Sequence, residues 1–85
     1  MSSHPTSFQG DVVAALRDAI ESKIPSSQAS VSGGGGHYTI EVVSTVFEGL
    51  GRVDAQRLVY GAIAHLMAGD DAPVHAVDTL RLKTS

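Results

Sequence analysis

Apolar residues recur along this chain with two different periods, and the order in which those periods alternate predicts five elements. Phe8, Val12, Val13, Leu16, Ile20 and Ile24 return at helical spacing, with Arg17, Asp18 and Glu21 on the opposite side. Thr6 and Gln9 have the Thr-x-x-Gln form of a capping box, whose side chains satisfy the first free N–H groups of a helix. Asp11 early and Lys23 late suit the helix dipole, and Pro25 ends the segment.

The period then drops to two. Ala29 and Val31 share one side of a short strand over 28–32. Tyr38, Ile40 and Val42 oppose His37, Thr39 and Glu41 in a second strand over 37–46. Four glycines, Gly33 to Gly36, join the two, which predicts a hairpin with a mobile loop, since glycine leaves the backbone least restrained.

A Phe47-Glu48-Gly49 turn leads into a second helix over 52–68, where Ala55, Leu58, Val59, Ala62, Ile63 and Leu66 trace the buried stripe. Gly61 inside it costs about 1 kcal/mol relative to alanine, which predicts close packing against a neighbour. Residues 69–73 turn the chain. The last strand, over 74–82, sets Val74, Ala76, Leu80 and Leu82 against His75, Val77, Thr79 and Arg81, with Asp78 interrupting the first set.

The element order is therefore α-β-β-α-β. A strand–helix–strand crossover is right-handed and leaves its strands parallel. The expectation is an α+β domain over 8–82 with a three-stranded mixed sheet. The strand from His37 is central, both helices lie on one face, and polar side chains occupy much of the other. A disordered lead-in over 1–7 and a tail over 83–85 flank it.

Composition narrows the chemistry. Eighty-five residues make one domain near the lower size for an unstapled core. With no cysteine, disulfides and any Cys-based zinc or iron–sulfur motif supplied by this chain are excluded. No apolar run approaches the ~20 residues of a membrane span. The first residues lack a signal or transit pattern, so a cytoplasmic protein with no membrane partner is expected. A net charge of −3 and only six basic residues do not provide the basic stripe of an avid phosphate-backbone binder.

Two histidines stand at comparable strand edges, His37 and His75, in a chain without thiolates. That pattern points to a shared metal site more than a complete one. Neutral imidazole is a good ligand for iron or zinc. The alternatives are a strand-edge His75 hydrogen-bonded to backbone and a solvent-exposed His37. His4 and His65 read as surface residues. No His-x-x-x-His or Glu-x-x-His pattern supports a self-contained mononuclear site.

Gly33 to Gly36 join two strands and carry no lysine, unlike a phosphate loop at a helix N-terminus. Arg52, Arg57, Arg81 and Lys83 are the basic positions of the second half, with Asp54, Asp70 and Asp71 nearby; a solvated helix face is the alternative to a nucleic-acid contact. Gly49-Leu50-Gly51 is too short for a KH-type Gly-x-x-Gly loop. No serine or cysteine nucleophile stands beside a histidine in a known motif, so catalysis is not expected.

Three blocks, Gly35-Gly-His-Tyr-Thr-Ile-Glu-Val-Val-Ser-Thr-Val-Phe-Glu-Gly49, Arg52-Val-Asp-Ala-Gln-Arg-Leu-Val-Tyr-Gly61 and Val74-His-Ala-Val77, together resemble the BolA family. The likeness spans residues 8–80 and is greatest to IbaG-type members, whose glycine-rich loop ends in His. The resemblance implies an α-β-β-α-β fold related to class II KH domains. It implies a monothiol glutaredoxin partner and a [2Fe-2S] cluster shared with that partner and glutathione, in iron–sulfur trafficking or iron sensing. The cluster is not expected on the isolated chain, which is expected to be a monomer. His75 matches the family's C-terminal histidine, and His37 stands where members place Cys or His in the loop; these are the implied metal ligands. Some members are described as DNA-binding regulators, which makes a KH-like transcriptional regulator using Arg52, Arg57, Arg81 and Lys83 the alternative, with weak DNA binding. The segment ending Arg81-Leu-Lys-Thr-Ser85 departs from the Thr-Pro-Glu-Glu-Trp-like continuation of relatives, so contacts made by that tail are expected to be absent or altered. Val53-Asp54-Ala55 is also less basic than in many relatives.

Overall fold

The computed structural model describes residues 11–84. The element order is α1 (Val12–Lys23), β1 (Ser27–Gly34), β2 (His37–Ser44), a 3-10 turn (Thr45–Phe47), α2 (Arg52–Met67) and β3 (Ala76–Lys83). The α-β-β-α-β plan predicted from periodicity is present. The expected disordered lead-in and the Thr6–Gln9 capping box lie outside the described residues, as do Phe8 and His4. Within them, Asp11 is the N-cap of α1, in extended backbone, and its carboxylate accepts from Ala14 N at 3.3 Å.

The sheet order is β1-β2-β3. β1 runs antiparallel to β2, from Ser27 opposite Ser44 to Gly34 opposite His37, and β2 runs parallel to β3. β2 is therefore central, as expected. Its alternation is clean: Tyr38, Ile40, Val42 and Ser44 are buried while His37 and Thr39 are exposed. Leu16 and Ile20 of α1, Ile40 and Val42 of β2, and Val59 and Ile63 of α2 join one cluster, so both helices cover the same sheet face. Side chains tie the layers at their edges. Lys23 Nζ donates to Ala62 O at 3.4 Å, and Ala29 N donates to Glu21 Oε2 at 2.9 Å. Ser44 is the buried polar residue among those described; its hydroxyl donates to Pro25 O at 2.7 Å and accepts from Val46 N at 3.1 Å.

Several expectations are corrected. Gly33 and Gly34 are not loop but strand, paired with Tyr38 and His37, and the connection shrinks to Gly35 and Gly36. Both have positive φ, 62° and 88°, as a tight two-residue hairpin turn requires. The central strand stops at Ser44, because Ser44 Oγ caps the 3-10 turn that follows. Leu58 belongs to no buried stripe and is 43% exposed. A Cβ on Gly61 would meet nothing within 4 Å, so no neighbour demands that glycine. Val77 packs against the core instead of facing outward. The reason is a register shift: Tyr38 pairs with Val77 but Thr39 pairs with Thr79. Asp78 is an extra residue, a bulge that lets Val77 and Leu80 both reach the core. No described helix is long and apolar enough to cross a membrane.

Candidate functional site: two histidines at one end of the sheet

Parallel pairing of β2 with β3 places His37 opposite Ala76, so His75, one residue before β3, reaches the same end of the sheet as the hairpin turn. The turn is fastened there. Gly36 O accepts from both His75 N at 2.8 Å and Ala76 N at 3.0 Å. The His75 ring lies against Gly36, where a Cβ would stand 2.7 Å from Nδ1 and 2.9 Å from Cγ. Gly36 is accordingly buried while His75 is exposed.

His37 opens β2 and is also exposed. Its Nδ1 stands 3.1 Å from Asp78 Oδ1, with both side chains more than half accessible. Asp78 lies two residues beyond Ala76, the partner of His37, which puts its carboxylate on the His37 side of the sheet. A carboxylate on one ring nitrogen fixes the ring and leaves Nε2 as the nitrogen available to a metal. Among the described residues, no three His, Cys, Asp or Glu side chains converge as a resident metal ion requires. The end of the sheet therefore offers imidazole donors but not a full coordination shell. His65 sits apart, exposed on α2.

The basic candidates divide. Arg52, Arg81 and Lys83 line one groove of about 500 Å³ between the start of α2 and the last residues of β3. Arg57 is not among its lining residues; it stands on the exposed side of α2 with Asp54 3.9 Å away. Lys83 Nζ is 2.7 Å from Glu41 Oε2 across the outer face. That hydrogen bond, then the Lys83 charge, with a smaller contribution from Arg81, holds the Glu41 carboxyl below its usual range against a slight opposing effect of burial. Periodicity alone does not reveal this pair, since it depends on β2–β3 register. Nor does it reveal the part of Leu50 in the groove, although a leucine between two glycines was a signal.

Residues 16–85 match the family model for BolA-like protein. The acid stress protein IbaG of Escherichia coli K12 is 31% identical over 62 residues, covering 73% of this chain and 71% of that protein. A BolA protein homologue from Coxiella burnetii superposes with a TM-score of 0.72 at 29% identity, covering 88% of this chain and 92% of its own. The solution structure of mouse BolA1 gives 0.69 at 32% identity, covering 99% of this chain and 73% of its own. With the matched family model spanning most of the chain and the fold superposing on solved BolA structures, this protein belongs to the BolA family.

Proposed function

We propose that this BolA-family chain is a cytoplasmic adaptor that pairs with a monothiol glutaredoxin and helps hold a [2Fe-2S] cluster with it. His75, joined by His37, would ligate iron, while the glutaredoxin cysteine and glutathione thiolates complete the set. The role is iron–sulfur trafficking or iron sensing, without turnover of a substrate. The observation that carries this reading is the placement of two exposed imidazoles at one end of the sheet in a chain with no cysteine.

The donor chemistry fits a shared cluster. Histidine replaces cysteine on iron in some two-iron clusters and raises their potential. The Asp78 carboxylate beside His37 Nδ1 is the kind of partner that orients a ligating ring. Two imidazoles fall short of the four protein ligands such a cluster takes, which is why a thiolate-bearing partner is part of the proposal. The test is co-purification with a monothiol glutaredoxin, then anaerobic reconstitution followed by visible absorption and circular dichroism. A mixed complex with a spectrum unlike that of the glutaredoxin alone supports the adaptor. Absence of a mixed complex overturns it.

A nucleic-acid-binding regulator is the second reading, favoured by the gathering of Arg52, Arg81 and Lys83 along one groove. Charge weighs against it. The chain carries −3, Lys83 is engaged by Glu41 and Arg57 stands near Asp54. Duplex DNA binding is expected to be no tighter than the non-specific range of roughly 10⁻⁴–10⁻⁶ M at physiological salt.

A further inference from the structure

The sheet has two outer strands, and they are finished differently. On β1, Ala29 N is taken up by the Glu21 carboxylate from α1. β3 is the other outer strand, and its consecutive residues Leu80 to Lys83 line the groove that also meets Phe47, Leu50 and the start of α2, with no β2 residue among the described lining. An open strand edge presents unpaired N–H and C=O groups in the spacing that another extended chain matches.

The groove has a definite chemical character. Leu50, 40% exposed, and the half-buried Leu82 supply the smaller, apolar part of its surface over the buried Phe47. Arg52, Arg81 and Lys83 supply positive charge, and no carboxylate side chain is among the described lining residues. In a chain of net charge −3 that is a local reversal of sign. At the start of α2, Gly51 provides no side-chain cap for the first N–H groups, while Asp54 in the first turn offsets part of the positive end of the helix. Basic residues alone on an edge strand would be explained as protection against edge-to-edge pairing. Protection does not account for an apolar floor beside them.

We infer that this groove binds an extended acidic segment of a partner protein, with alternating apolar residues, added as a further strand on the open edge of β3. The strand edge supplies main-chain pairing, the apolar floor takes alternate side chains, and Arg52 and Arg81 face the carboxylates. Lys83 is shared with Glu41, which also stands opposite Arg81 across the β2–β3 pair. Residues 1–10 contain no Asp or Glu, so charge gives no reason for the chain's own leading segment to fill the groove. A nucleic acid would use the cations but not the strand edge, and three cations, one of them already paired, are few for a phosphate backbone. The site is distinct from the histidine end. Ala76 and Lys83 bound β3, so the two ends are separated by roughly 20 Å at about 3.3 Å per residue.

The experiment is a titration of the ¹⁵N-labelled full chain, read by amide chemical shifts. The probe is an acetylated decapeptide alternating valine and glutamate. Shifts are expected at residues 80–84, at 47–50 and in the first turn of α2. Arg52→Ala and Arg81→Ala, both exposed positions whose variants are checked for an unchanged circular dichroism spectrum, each weaken binding about two- to fivefold. Replacing glutamate by lysine in the peptide, or N-methylating alternate residues, abolishes the shifts. The inference is overturned if millimolar peptide shifts nothing in the groove, or if the lysine or N-methylated peptide binds equally well. It is also overturned, in favour of nucleic acid, if a twelve-base-pair duplex moves the same amides at lower concentration than the acidic peptide.

Discussion

The His75 imidazole occupies the space a side chain at Gly36 would need. A Cβ built on Gly36 would fall 2.7 Å from Nδ1 and 3.2 Å from Cε1, at a φ of +88°. The same glycine accepts the backbone N–H of His75 through its carbonyl. One residue of the hairpin turn thus holds both the backbone and the ring of the histidine assigned here to iron.

Gly36→Ala is therefore expected to displace the His75 ring as well as strain the turn. A side chain forced into positive φ costs about 1–3 kcal/mol. Urea denaturation should show that loss, and the His75 ring proton shifts should move while those of His65 stay. Unchanged stability together with unchanged His75 shifts would contradict the contact.

At Gly61 the opposite sign is expected. Its Cβ position is open on the exposed side of α2, so Gly61→Ala should stabilise the fold by about 0.4–1 kcal/mol by restricting the unfolded chain. A decrease in the urea midpoint would show a packing role that the structure does not contain.

Ser44→Ala removes a buried hydroxyl that bridges Pro25 O and Val46 N. Two backbone groups lose their partner, and a destabilisation of about 1–3 kcal/mol is expected. The denaturant slope should stay the same, since the surface exposed on unfolding does not change. A variant as stable as the parent would mean that water replaces the hydroxyl at no cost.

Glu41 supplies a pH dependence. Its folded pKa lies below the ordinary 4.5, mainly through the Lys83 hydrogen bond. A depressed carboxylate contributes stability that is present above the unfolded value and lost as pH falls through the folded one. The contribution therefore disappears on acidification below about 4.5. Carbon-detected titration of Glu41 should give a midpoint under that value, moving most of the way back in Lys83→Met. A midpoint unaffected by the substitution would dissociate the pair in solution.

The elements were legible where periodicity and burial coincide. Tyr38, Ile40 and Val42 alternate in the sequence and are buried in the sheet, and from the five elements the right-handed crossover rule led to a central β2. Periodicity failed where one residue changes the phase. Asp78 is a bulge, so Val77 turns inward against the simple alternation, and only pairing with Tyr38 and Thr39 shows it. Leu58 and Gly61 misled for another reason: an apolar or glycine residue on a helix is consistent with packing but does not require it. For the candidate site, His37 and His75 were marked by type and position. Their approach to one end follows from parallel register, while the Asp78 contact and the Gly36 seat are tertiary features invisible to spacing.

The central claim is that His75 ligates a cluster shared with a thiolate-bearing partner, and His75→Ala in the reconstituted complex with a monothiol glutaredoxin tests it most directly. The ring is exposed and contributes little to the core, so the variant should fold and still associate. The account predicts that its visible circular dichroism reverts towards that of the glutaredoxin alone, with His37→Ala giving a smaller or comparable change, and that neither parent nor variant holds iron and sulfide without the partner. A His75→Ala complex with the parental spectrum and cluster lifetime, or stoichiometric iron and sulfide on the isolated parent chain, would contradict it.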